Sequence, residues 1–296
     1  VLTPAEADHL FAHYRAELED PRWRACLFCD ACRAELAVRE DVGLVGGVRA
    51  TTRARLLEAG VTTMTALAER TEPVEGIDDD QLAVLRSQAG LQLTEPTPET
   101  PLPYEVFAPE VLAELPAPSD GDVFFDFEGD PMWRGSTPTD TGLEYLFGSL
   151  TASEEFVAFW AHDREQERAA LVGFVDWLRH RLERWPDLHV YHYSGYERAA
   201  LSRMAARHGV YEAEVAQILD DGVFVDLYAA VKSAVRVGSR SYSIKRLEPL
   251  YMGDDLRDAD GVTAGGDSII EYKRYREAIA AGDEAEAAAR LEDLRQ

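Results

Sequence analysis

Basic residues are scarce in this chain: 30 Lys and Arg stand against 55 Asp and Glu, a net charge of -25. A protein that binds nucleic acid by bulk electrostatics carries the opposite imbalance. Any such contact here has to rest on local basic clusters or on bound cations. Long apolar runs are also missing; no 18 consecutive apolar residues occur, which argues against a membrane-spanning helix. Cysteine is limited to three residues, all within CLFCDAC. That argues against a secreted disulfide framework and for a reducing cytoplasm. The opening VLTPAEADHL has no positive region, no apolar run and no initiator Met, so no secretory signal is read. The final LEDLRQ stops inside a helical pattern. Both ends are expected to be cuts in a longer protein.

Proline is abundant only locally. Half of the 14 prolines lie between Pro96 and Pro118, a composition that favours extended chain over a helix or a central strand. The expected organisation is a tail over 1–42, a helical region over 43–93, a Pro-rich linker over 94–118 and a larger domain over 119–296. In that last domain DVFFDFEG, LEYLFGSL and EEFVAFWA read as strands rich in Phe, Val and Tyr. DREQERAALVGFVDWLRHRLERW reads as an amphipathic helix with Leu171, Phe174, Val175, Leu178 and Leu182 on one face. LHVYHY and GVFVDLY are further strands, and YERAALSRMAARHG is a helix ending at Gly209. The expected class is α/β, a mixed sheet flanked by helices and preceded by a small all-α region.

In VFFDFEGD the strand alternation puts Asp126 and Glu128 on one face and Phe125 and Phe127 on the other. Two carboxylates in such a strand repel each other and lose hydration. Either a divalent cation relieves both penalties, magnesium or manganese suiting hard oxygen donors, or the pair is simply solvated at a sheet edge. Glu197 follows a strand end in VYHYSGYERAAL, as a metal ligand or as a first-turn acid favoured by the helix dipole. Asp226 sits in the apolar run VFVDLYAAV.

The order of these segments resembles the DEDD 3′–5′ exonucleases of the RNase H-like fold, most closely the YprB-type branch, over residues 120–296. The resemblance implies that Asp126 and Glu128 bind metal, and that Glu197, behind Tyr196, stands where the family has Asp. Asp226 matches an acid that often follows the next strand. The mechanism that the resemblance implies has two metals about 4 Å apart clamping the attacking and leaving oxygens of a phosphodiester. The family's last motif, a Tyr or His four residues before an Asp, is expected beyond Gln296: Asp293 has Ala289 in that place. A fragment without it is expected to be weakly active or inactive.

Residues 232–246, KSAVRVGSRSYSIKR, carry Lys232, Arg236, Arg240, Lys245 and Arg246 with no acid. They are the best candidates for phosphate contacts, a solvated loop being the alternative, with Ser243 placed to cap the next helix. Trp133, Tyr193 and Tyr196 are either base-stacking or packing aromatics. Upstream, LVGGVRATTRARLLEAGVTTMTALAE and VEGIDDDQLAVLRSQAGL resemble a pair of helix-hairpin-helix units. Their glycine turns let backbone N–H groups approach a phosphate. Arg49, Arg53 and Arg55 follow the first turn and Asp78, Asp79 and Asp80 the second, so a DNA contact is expected at the first. An ordinary helical connector is the alternative.

Cys26, Cys29 and Cys32 suggest a metal or cluster or three inert thiols. Their position resembles the end of RecB-like nucleases, some of which hold an iron–sulfur cluster; zinc with His9 or His13 is the other option. The whole layout resembles a RecB-like nuclease family with a YprB-type domain. It implies a metal-dependent exonuclease acting on DNA in repair or processing, with a helicase domain or subunit as partner. The alternative is a non-catalytic RNase H-like module that binds nucleic acid or positions a partner enzyme.

Overall fold

The computed structural model of the chain describes residues 30–97, 100–253 and 265–294. Two compact units divide it, one formed by Val1–Pro109 and Ala234–Asp254, the other by Glu110–Ser233 and Asp255–Gln296.

The first unit is mainly helical. Helices span Asp30–Val38, Ala50–Glu58, Met64–Ala68 and Asp79–Leu93 around a core of Val42, Val45, Leu56, Leu67, Leu82 and Leu85. The glycine turns expected before two of these helices are present. Gly47 and Gly76 both have positive φ, 87° and 76°, a region glycine enters without a Cβ penalty. The acidic start of Asp79–Leu93 has a local cause, since Asp78 accepts from the Asp80 and Gln81 N–H groups and caps the helix. The Pro-rich stretch is more ordered than its composition suggests. Tyr104–Val106, free of proline, pairs antiparallel with Val235–Val237, and Pro109 occupies the first position of a short helix, Pro109–Ala113, where its missing N–H costs nothing. Residues 234–254 belong to this first unit and not to the unit that precedes them in sequence.

The second unit is built on a five-stranded sheet. Its strands are β1 (Val123–Arg134), β2 (Thr141–Thr151), β3 (Phe156–Trp160), β4 (Val190–His192) and β5 (Phe224–Asp226), in the order β3-β2-β1-β4-β5. β1 is antiparallel to β2 and parallel to β4, and β4 is parallel to β5. The sheet is therefore mixed, as the run of three strands before the first helix predicts. Its helices are α1 (Arg164–Arg184), α2 (Tyr196–His208), α3 (Glu212–Asp220), α4 (Leu227–Ala234), α5 (Gly265–Ala281) and α6 (Glu284–Asp293).

Phe125 and Phe127 of β1 pack with Leu171, Phe174, Val175 and Leu178 of α1 in the main core, the helix face expected from periodicity. A second cluster joins Tyr145 and Leu146 of β2 to Tyr272 of α5, the two tyrosine rings stacked at 3.8 Å. Leu146 pairs with Glu128 and Gly148 with Asp126; the register then slips, leaving Tyr145 unpaired opposite the Glu128–Gly129 junction. Such a bulge re-aims side chains locally.

Candidate functional site

β1 presents Asp126 and Glu128 on the face opposite its buried phenylalanines, as the strand alternation requires. Glu197 enters from another direction. It lies in the first turn of α2, is only 3% exposed, and sits within hydrogen-bonding reach of the Asp126 carboxyl. Asp126 keeps an accessible edge but is crowded by protein on its other sides. Lost hydration, then repulsion from Glu197 and from Glu128, raises its carboxyl to about 7; the Phe127 N–H, donating to Oδ1 at 2.8 Å, opposes this only in part.

Each of the other two carboxylates has its own support. Glu128 Oε2 accepts from the Ser268 hydroxyl at 2.7 Å and from the Tyr145 hydroxyl at 3.5 Å. Burial pushes the Tyr145 phenol well above its ordinary range, so it remains a donor. Glu197 Oε2 lies 3.2 Å from Nδ1 of His192, whose side chain is 0% exposed.

The turn that delivers Glu197 is strained. Ser194 has a φ of 105°, a region that costs a non-glycine residue about 1–3 kcal/mol. Asp226 holds it: Oδ1 accepts from the Ser194 N–H at 3.0 Å, and from those of Tyr228 and Ala229 at the start of α4. One oxygen of Asp226 is thus spent on backbone. Tyr196 fixes the same turn from outside, donating to Glu144 Oε1 at 2.7 Å, and Arg203 donates to the same oxygen at 2.8 Å.

The donor set of Asp126, Glu128 and Glu197 suits a hard divalent cation. All are carboxylates, and Asp126, raised first by lost hydration and then by repulsion from its neighbours, gains a counter-charge from a cation. They are not drawn into one ready-made shell: among the described residues no three His, Cys, Asp or Glu side chains are gathered closely enough to hold a metal ion. Cys26 and Cys29 lie outside the described residues, as do His9 and His13, and for Cys32 only the backbone of its helix is described.

The basic candidates differ in burial. In the first unit Arg53 is buried and paired with Asp41, at 2.7 and 2.5 Å. Arg55 donates to the Gly76 carbonyl, closing the second glycine turn. Arg236 pairs with Glu105 at 2.5 Å and lies over the Phe107 ring. Arg49, Arg240, Lys245 and Arg246 are exposed. Ser243 makes no side-chain cap to Ile244–Leu247, so the cap expected there is absent. In the second unit Lys232 is exposed and reaches the Tyr228 hydroxyl at 3.3 Å. Tyr193 packs edge-on against Tyr228, and Trp133 is buried beneath the Arg164 guanidinium.

His192, Ser268, Tyr145 and the Glu144–Arg203 pair have no counterpart in the sequence reading. His192 carries the one local signal, lying five residues before Glu197 at the end of an apolar strand; Ser268 is separated from Glu128 by 140 positions. Among the described residues no helix is long and apolar enough to cross a membrane. The model of the family RNase_H_2, described as RNase_H superfamily, matches residues 123–286, more than half of the chain. No curated protein and no solved structure matches it.

Proposed function

The chain belongs to the RNase H superfamily, and from that premise we propose that it is a metal-dependent nuclease hydrolysing phosphodiester bonds of DNA, from a 3′ end. The observation that carries this reading is the meeting of Asp126 with Glu197, 71 positions away in sequence, beside Glu128 on one sheet face. An arrangement that raises a carboxyl to about 7 opposes folding in the absence of a counter-charge, and such sites are commonly functional.

In this reading Asp126, Glu128 and Glu197 hold magnesium or manganese, which when bound neutralises phosphate charge and makes a bound water more acidic. Ser268 and Tyr145 orient Glu128. Asp226 maintains the turn that presents Glu197, a role in positioning. Lys232, Arg240, Lys245 and Arg246, together with Arg49 in the helix-hairpin-helix-like region, contact phosphates. The closer kinship is to RecB-like proteins with a YprB-type domain, and the setting is cytoplasmic DNA repair or processing, in company with a helicase. A cysteine-bound cluster or zinc at Cys26, Cys29 and Cys32 belongs to the same proposal.

The test is degradation of 3′-labelled single-stranded DNA in Mn²⁺ by the protein extended past Gln296 and by its Asp126→Ala variant. Loss of cleavage in the variant supports the reading, and equal cleavage by both sinks it. One observation favours a second reading, a non-catalytic nucleic-acid-binding module: the carboxylates are not preassembled. Binding of the oligonucleotide without cleavage by either protein selects that alternative.

A further inference from the structure

We propose that His192 is a positioning residue, fixing the Glu197 carboxylate beside Asp126. The contact between His192 and Glu197 stands on geometry, while its consequence for metal binding rests on the nuclease reading.

His192 closes β4, with no exposed side-chain surface and with its ring against Phe224 of β5. Its Nδ1 lies 3.2 Å from Glu197 Oε2. Among the described residues nothing pairs with Nε2, which is also buried. A buried polar atom without a partner is costly, so an apolar residue would satisfy the pocket better if packing were the only demand. The chemistry of the pair also selects a tautomer. A carboxylate oxygen needs a donor, which puts the proton on Nδ1; Nε2 is then a bare lone pair, cheaper to bury than an unmatched N–H.

The length of Glu197 explains the need. A glutamate has one more rotatable bond than an aspartate, so its carboxylate is harder to hold in one place. Anchoring Oε2 from the strand side leaves the other oxygen for a cation shared with Asp126. Donors that orient metal-binding carboxylates from behind typically change affinity ten- to a hundredfold when removed.

Mn²⁺ affinity is measured without nucleic acid for the wild type, His192→Leu and His192→Asn, with thermal melts in EDTA to verify folding. Asn carries an N–H donor close to the Nδ1 position. Binding about tenfold or more weaker in His192→Leu, largely restored in His192→Asn, is the expected result. Wild-type affinity in a folded His192→Leu overturns the proposal, as does an Asn variant as weak as the Leu variant. A second readout needs no metal: ring ¹H–¹⁵N correlations of the metal-free protein should show the proton on Nδ1 of His192, and Glu197→Ala should displace that signal. A proton on Nε2 in the wild type overturns the inference. If the wild type binds no Mn²⁺, the nuclease reading falls and the ring spectrum alone decides the role of His192.

Discussion

Ser268 donates to Glu128 Oε2 across 2.7 Å, from a position 140 residues later in the chain. The second carboxylate of β1 is thereby tied to α5, whose Tyr272 stacks on Tyr145, the other donor to Glu128.

Ser268→Ala should therefore cost more than an ordinary serine truncation. The hydroxyl is buried and its acceptor is a carboxylate, a combination worth about 1.5–3 kcal/mol. Urea unfolding of the metal-free protein checks the magnitude. A loss below about 0.5 kcal/mol, the scale of a neutral surface change, would show that Glu128 does not depend on this contact.

The lost hydration and the repulsion at Asp126 make a pH prediction with a definite sign. Its folded carboxyl titrates at about 7 against an ordinary value of 3.8. Between those two values the native state binds more protons than the unfolded chain, so stability falls as pH rises. The decline starts near pH 4 and is complete just above 7. Asp126→Asn should flatten this part of the profile and melt higher than the wild type at pH 8 in EDTA. Thermal melts from pH 5 to 8 check it; a wild-type midpoint that climbs steadily over that interval contradicts the geometry.

Arg53 and Arg49 are neighbours in sequence with opposite expected behaviour. Arg53 is buried against Asp41, and breaking a buried pair from one side costs about 3–5 kcal/mol. Arg53→Ala should strongly destabilise the first unit, whereas Arg49→Ala should leave the melt within about 0.5 kcal/mol. Only Arg49→Ala should weaken oligonucleotide binding while stability is kept, with a shallower dependence on salt. Anisotropy titrations at several salt concentrations separate the two.

Ser194→Gly should stabilise the second unit. The φ of 105° is strained for serine and open to glycine, a relief of about 1 kcal/mol or more. Asp226→Ala should act in the reverse sense, since three N–H groups lose their acceptor. Chemical denaturation of the two variants provides the comparison.

Much of the second unit was legible because its signals are local. Alternation separated Phe125 and Phe127 from Asp126 and Glu128, and the period of α1 identified its buried face. The supports of the acidic cluster were not legible. No local pattern links Ser268 to Glu128 or declares that a histidine at a strand end will be fully enclosed. Arg53 illustrates the same limit. A basic run without acids suggests a phosphate surface, yet Asp41, which lies just before that run, captures one of its members. The Pro-rich stretch hid a strand because the partner of Tyr104–Val106 lies some 130 residues later, at Val235–Val237.

That pairing also constrains how the protein comes into being. As the chain leaves the ribosome, the first unit has its helices but lacks the strand that completes its small sheet, and Gln88 lacks the Val237 carbonyl to which it donates at 2.9 Å. Tyr104–Val106 emerges as an unmatched edge, the kind of surface that invites pairing with another chain. It stays so until the greater part of the second unit has been made. A cut anywhere between 110 and 233 leaves the two paired strands on different fragments, so neither unit can be released by a single incision, and truncation variants should be judged with that in mind.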